Sequence, residues 1–283
     1  MSGSRDASAT LRIGLTLPSF REDPEPAFAV AAAAEAAGLD AVFAYDHLFR
    51  RAADGSRRPA IELLTLMGAV AADTSRIAIG SLVARASLRA PAMLAHGFDT
   101  VARIAGPGRV IAGLGAGDAE SREENESFGL GFGSLQDRIA MLRDAVGVAR
   151  DRGYPVWVGG RDPVIREIGA AWADGWNRWG TESGASRFGA QAADLRIAAA
   201  RAPFTISWGG LVVLGADERE AEAKSQRLTP GPHVIVGGPE RVADALRDYA
   251  DAGADWVVIG PVDSSDPENA HMIGELVSPL LRG

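Results

Sequence analysis

The stretch "EAAGLDAVFAYDHLFRR", Glu35 to Arg51, joins the end of an alanine-rich helical pattern to a glycine, an apolar run and an abrupt change to charge. Helix, glycine, strand, polar end is the order of an αβ connection, with Gly38 expected at positive φ just past the helix. The same order returns in "AWADGWNRW" from Ala171 and "DAGADWVVIG" from Asp251. Repeated connections of this kind imply strands that all run the same way, because each helix must carry the chain back to the start of the next strand.

Working outward, eight strand candidates can be read. They are "IGLTL" from Ile13, "AVFAY" from Ala41, "RIAIGSLV" from Arg76, "RVIAGLG" from Arg109, "PVWVGG" from Pro155, "DGWNRWG" from Asp174, "TISWGGLVVLG" from Thr205 and "DWVVIGP" from Asp255. Helical spacing fills the gaps. Leu135, Ile139, Leu142, Val146 and Ala149 make one apolar stripe, opened by a capping box between Ser134 and Asp137. Val242, Ala245, Leu246 and Tyr249 do the same in the last full crossover. Eight strands alternating with helices favour a single closed (β/α)8 barrel over an open sheet. No linker divides the chain, so residues 11–283 form one domain and the polar "MSGSRDASAT" of residues 1–10 is expected to be a disordered tail.

Composition removes several classes of function. Among 283 residues there are 29 Lys and Arg against 37 Asp and Glu, a net charge of −8, and no long basic run to hold nucleic acid. No cysteine is present, so thiolate chemistry, disulfides and cysteine-bound metals are excluded. The start lacks a signal-peptide core and no segment reads as a membrane span, so a cytoplasmic location is expected.

In a barrel the chemistry sits at the C-terminal ends of the strands. Those ends carry Ser19, Asp46 with His47, Ala84 to Arg89, the loop "GLGAGDAES" from Gly113, "GGRD" from Gly159, Asn177 with Trp179, and the segment after Gly260. Of four histidines, His47 is the one expected on this rim; His96, His233 and His271 lie elsewhere. "GLGAGDAES" fails the dinucleotide fingerprint, because Asp118 stands where a third small residue is needed, but its glycines suit an anion loop. "VGGRDPVIREIG" from Val158 is the better phosphate candidate. Gly159, Gly160 and Arg161 precede a helix with Asp162 at the N-cap and Pro163 in its first turn. Trp176 and Trp208 read as core.

Five stretches in this order resemble the luciferase-like flavin and deazaflavin oxidoreductases, the bacterial luciferase family. They are "AEAAGLDAVFAYDHL", "SRIAIGSLVARASLRAPAMLAHGFDTVARIAGPGRVIAGLGAGD", "ESFGLGF", "PVWVGGRDPVIREIGAAWADGWN" and "VGGPERVADALRDYADAGADWVVIGP". The stretches themselves run from Ala34 to Pro261, and the resemblance is taken to extend from Leu11 to about Pro261. The resemblance implies a TIM barrel that binds coenzyme F420 or FMN at its C-terminal face. It implies a bulge with a non-prolyl cis peptide around Val83–Ala84, and a phosphate held by Gly159, Gly160 and Arg161. It places His47 at the substrate side of the ring as proton-transfer catalyst, with Asp46 contacting the cofactor or orienting the histidine. Direct Asp46–His47 pairing is not expected, since neighbours on a strand face opposite ways. Asp118 is either a second catalytic acid or the N-cap of a short helix, and Gly115 and Trp179 are counted among the cofactor contacts.

The function implied is F420-dependent hydride transfer to or from a small organic substrate. The alternatives are an FMN-dependent monooxygenase fed by a separate reductase, a flavin-binding barrel without catalysis, and a phosphate-handling barrel unrelated to flavins. The resemblance also implies a homodimer through "ELLTLMGAVAAD" and "PAMLAHGFDTVARIAG". Two departures stand out. "DHLFRR" lacks the tryptophan that F420-dependent sugar-phosphate and alcohol dehydrogenases tend to carry shortly after the histidine. Only "DRGY" separates the fourth helix from the fifth strand, so a more open site, or one completed by a partner subunit, is expected.

Overall fold

The computed structural model describes residues 10–52, 54–119 and 121–283; but for Thr10, the expected tail lies outside them. In chain order the elements are β1 (Arg12–Thr16), α1 (Glu25–Ala36), β2 (Ala41–Ala44), β3 (Phe49–Arg51), β4 (Arg57–Pro59), α2 (Leu63–Asp73), β5 (Ala78–Ser81), β6 (Ala84–Arg85) and α3 (Pro91–Ala105). Then follow β7 (Val110–Gly115), α4 (Ser121–Ser127), α5 (Leu135–Ala149), β8 (Val156–Gly159), α6 (Pro163–Trp172), β9 (Gly175–Trp179) and α7 (Gly184–Ala198). The chain ends with β10 (Thr205–Leu214), α8 (Glu218–Leu228), β11 (Val234–Gly237), α9 (Pro239–Asp251), β12 (Trp256–Pro261), α10 (Glu268–Met272), a π turn (Ile273–Val277) and α11 (Ser278–Arg282).

Strands β1, β2, β5, β7, β8, β9, β10 and β12 pair in parallel in that order, and β12 returns to β1, closing the barrel. All eight coincide with the strands read from the sequence. Alternate residues divide between two cores, as the period of a strand requires. Val42, Ala44, Val257 and Ile259 pack outward with the helices, while Phe43, Trp256 and Val258 fill the lumen. The lumen is plugged by aromatic rings: Phe43, Trp157 and Trp256 lie with centroids 5.4 to 6.3 Å apart. Small residues make room for them. A Cβ on Gly14 or Gly80 would come within 2.6 or 2.5 Å of the Phe43 ring.

The expected connections hold at Gly38 and Gly253, with φ of 72° and 105°. Gly175 differs: it has no positive φ, and is glycine because a Cβ there would meet the Thr205 carbonyl oxygen at 2.7 Å and Trp157 at 2.8 Å. The capping box of α5 is present as read. Two features were not legible beforehand. β10 outruns the barrel, its upper half pairing with β11, and β3 and β4 form a small antiparallel hairpin directly after His47.

Candidate active site

The mouth of the barrel opens into a cleft of two joined lobes, an inner one of about 650 Å³ and an outer one of about 850 Å³. Both volumes fall in the range of small-molecule sites. Tyr45, His47, Asp118 and Trp179 line both lobes. Nine of the ten expected site residues line the inner lobe: Asp46, His47, Val83, Gly115, Asp118, Gly159, Gly160, Arg161 and Trp179. Ala84 does not. It is fully buried and paired with Leu114, and the cis peptide lies one residue earlier than expected, at Leu82–Val83.

That bulge explains the glycines of the fourth strand. A Cβ on Gly113 would sit 2.0 Å from the Ser81 carbonyl oxygen, while Cβ atoms on Gly115 and Gly159 would meet Val83 at 2.3 and 2.6 Å. The glycines therefore admit the bulge, which lies between β5 and β6 and packs against β7 and β8, a packing role that their spacing alone did not suggest. Val83 then lies against a wall of backbone at the floor of the inner lobe.

Asp46 and His47 do face opposite partners. Asp46 is buried and holds Arg89 through both carboxylate oxygens, at 2.8 and 3.1 Å, while also accepting the Arg85 backbone N–H at 2.8 Å. These bonds lock the segment after the bulge to the end of β2. His47 Nδ1 lies 2.7 Å from Glu124 Oε1. The other Glu124 oxygen accepts the Leu48 backbone N–H at 2.7 Å and Arg85 Nη2 at 3.0 Å. Burial, the largest single influence on Glu124, pushes its carboxyl up. The bonds from His47 and Leu48 and the charge of Arg85 together outweigh it and hold the group below the usual range. A carboxylate only accepts, so Nδ1 carries a proton and, in the neutral ring, Nε2 is left as the base.

Glu124, Arg85 and Arg89 were missed as site residues. Glu124 sits on α4, whose start is fixed by Asp118: its Oδ1 accepts the Ser121 N–H at 2.9 Å and the Ser121 hydroxyl at 2.8 Å. Asp118 thus makes a capping contact while also lining both lobes. Next to Glu124, Glu123 takes Arg51 at 2.5 and 2.7 Å and Arg57 at 2.9 Å, tying α4 to the β3–β4 hairpin.

On the far rim, Asp162 caps α6 through the Val164 N–H at 2.8 Å, with Pro163 in the first turn as read. Arg161 is exposed and paired with Glu182 at 2.7 Å. Trp176 is core as expected, and its Nε1 donates to the Gly160 carbonyl at 3.0 Å, setting that loop from behind. Trp208 is likewise buried, stacked on Tyr249 at 4.0 Å. Trp179 lies across Gly209 and Gly260, where a Cβ would come within 2.5 and 3.0 Å of it, and meets Tyr45 edge-on at 6.0 Å.

Residues 150–155 alone join α5 to β8, so no cover comes from there. The outer lobe is walled instead by the hairpin, by Leu211 and Val234 of the β10–β11 extension, and by Leu228 to Gly231. His233 lines neither lobe, and its backbone carbonyl accepts the Thr181 hydroxyl at 3.2 Å.

Comparison with known proteins agrees with this architecture. An F420-dependent secondary alcohol dehydrogenase, solved with an F420–acetone adduct, superposes with a TM-score of 0.79 at 18% identity, covering 97% of this chain and 100% of that one. A long-chain alkane monooxygenase gives 0.75 at 16% identity, covering 96% and 91%. At such identities the likeness concerns the fold. An F420-dependent glucose-6-phosphate dehydrogenase of Beutenbergia cavernae is 33% identical over 152 residues, 53% of this chain and 42% of that protein, so the match spans less than half of the relative. The family model described as luciferase-like monooxygenase matches residues 7–152, which is 146 of the 283. That span contains the bulge, His47, Glu124 and the fourth-strand glycines Gly113 and Gly115, and by it the chain belongs to the luciferase-like monooxygenase family.

Proposed function

We propose that the protein is an oxidoreductase that holds coenzyme F420 in the inner lobe and passes hydride between it and a small organic substrate in the outer lobe. The observation that carries this reading is His47, whose Nδ1 is occupied by Glu124 and whose ring borders both lobes. Hydride transfer at an alcohol or carbonyl carbon also moves a proton at oxygen, and imidazole both takes and gives one near neutral pH. In the oxidising direction His47 Nε2 takes the hydroxyl proton; in the reducing direction the imidazolium returns it to the carbonyl oxygen. Glu124 stabilises the charged ring in either case.

The residues present fit the coenzyme. Val83 and the backbone of Gly115 and Gly159 offer a flat wall for a tricyclic ring. Arg161 and the N-terminal turn of α6 stand where a phosphate would reach the rim. When bound, the coenzyme supplies a ring carbon that accepts or donates hydride. Relatives named as F420-dependent favour it over FMN. The same reading puts the protein in the cytoplasm, with a separate reductase as the source of reduced cofactor.

The test is anaerobic. Oxidised F420 and a panel of small alcohols are mixed with the protein, and the deazaflavin absorbance is followed. Bleaching without oxygen is the expected result. No bleaching, together with oxygen uptake when reduced FMN is supplied, would move the protein to the monooxygenase alternative.

A further inference from the structure

We infer that the outer lobe takes an organic anion, a carboxylate or phosphate ester with an apolar body, and that Arg50 binds its charged end. The inference rests on the assignment of the outer lobe to substrate made above.

The charged and titratable side chains lining this lobe are Tyr45, His47, Arg50, Arg51, Asp118, Glu123 and Glu124. Almost all are committed. Glu123 is shared by Arg51 and Arg57, Glu124 by His47 and Arg85, and Asp118 is bonded to Ser121. Arg50 stands apart: among the described residues it has no ion pair and no side-chain hydrogen bond. Glu123 on α4 already faces the guanidinium groups of Arg51 and Arg57, and Asp54 in the hairpin turn bonds Ser56.

Nor does Arg50 simply trail into solvent. Its guanidinium lies over the Phe20 ring, 5.5 Å from the centroid. Phe20 in turn packs against His47 at 5.3 Å and Tyr45 at 6.1 Å. One aromatic ring therefore separates the uncommitted cation from the proton-exchanging imidazole. The two can be no further apart than those two steps laid end to end, the reach of a small organic acid. The charge of Arg50 is also felt at the Tyr45 phenol. Burial pushes that phenol up to about 12, against the opposing pull of the Thr16 bond and of Arg50. Across the lobe, Leu211, Leu228, Pro230 and Val234 present an apolar wall. An anionic head on Arg50, a reacting carbon at His47 and an apolar body on that wall match these features.

Binding is measured by titration calorimetry on the full chain with benzoate, phenyl phosphate and the neutral isostere benzamide. At least one anion should bind about tenfold or more tightly than benzamide. Arg50→Ala should erase that preference, Arg50→Lys should restore part of it, and Arg58→Ala, on the opposite hairpin strand and outside the lobe, should keep it. Which anion wins separates carboxylate from phosphate. Absence of any preference, binding of neither anion, or a preference that survives in a folded Arg50→Ala protein would overturn the assignment. Cofactor binding is read separately. If F420 fails to bind while Arg50-dependent anion binding persists, the cofactor reading falls and the anion site stands.

Discussion

His47 Nδ1 and Glu124 Oε1 lie 2.7 Å apart across a sequence separation of 77 residues, and this one contact decides which imidazole nitrogen is free. Nitrogen-15 spectra of the ring should show the Nδ1-protonated tautomer in the neutral state. Glu124→Gln should lose that preference, since an amide can donate to the ring as well as accept from it. With a substrate in hand, His47→Ala should lower turnover per cofactor-loaded site by about 10² to 10⁴. Full turnover on that basis would rule out proton exchange by His47.

The bulge makes a prediction through two residues in contact. Gly115→Ala places a methyl group where Val83 already sits, with 2.3 Å between them. Such overpacking should cost about 1 to 3 kcal/mol and weaken cofactor binding. Val83→Ala added to it should recover most of both losses, because it vacates the same space. Additive effects in the double variant, measured by thermal unfolding, would deny that the glycine is there for the valine.

Glu35 links α1 to the start of the third barrel strand. Its Oε1 accepts the backbone N–H groups of Ser75, Arg76 and Ile77 at 2.9, 2.6 and 3.0 Å. Burial, the largest influence, raises its carboxyl, yet the three bonds and the Arg76 charge bring it down to about 2. A carboxyl held lower in the folded than in the unfolded chain adds stability that is complete above the ordinary glutamate range, near pH 4.5, and is lost as pH falls towards 2. Glu35→Gln should cost about 1 to 2 kcal/mol at neutral pH and cost little at the acid end of that window. Equal losses at both ends would contradict the clip.

Pairing through α2 and α3 is expected to make the protein a homodimer. Met93 and Ile104 on α3 are 63% and 48% exposed, more than an unpartnered helix face needs. Light scattering at micromolar concentration should give twice the chain mass, and Met93→Asp with Ile104→Asp should halve it. A monomer in the parent protein would end this expectation.

Much of the fold was legible because strands and helices differ in hydrophobic period, and all eight barrel strands carry that signal. Elements were missed where the signal is masked. "FRRAADGSRRP" forms the β3–β4 hairpin although four arginines hide any alternation, and "GLVVLG" reads as one strand whether it pairs within the barrel or above it. Glycines carried roles that the pattern did not show: Gly113 and Gly115 also serve the bulge, and Gly175 a close strand approach in place of a positive φ. His47 could be found because it ends a strand. Glu124 could not, because its short helix has no apolar stripe and its partner is remote in sequence. Arg85 and Arg89 lay in a rim segment already singled out, without a sign of which acid they would meet.

The most direct measurement is an equilibrium titration of the protein with F420 and with FMN, followed by fluorescence, in the parent chain and in two rim variants. Arg161 is held by Glu182 at 2.7 Å, so under the proposed reading a cofactor phosphate would compete with that carboxylate for one guanidinium. F420 should bind at least about tenfold more tightly than FMN. Arg161→Ala should weaken that binding by about 1 to 3 kcal/mol. Glu182→Gln should strengthen it by up to about 1 kcal/mol, the scale of an exposed ion pair. Tighter binding of FMN, or binding of neither cofactor, would contradict an F420 site in the inner lobe.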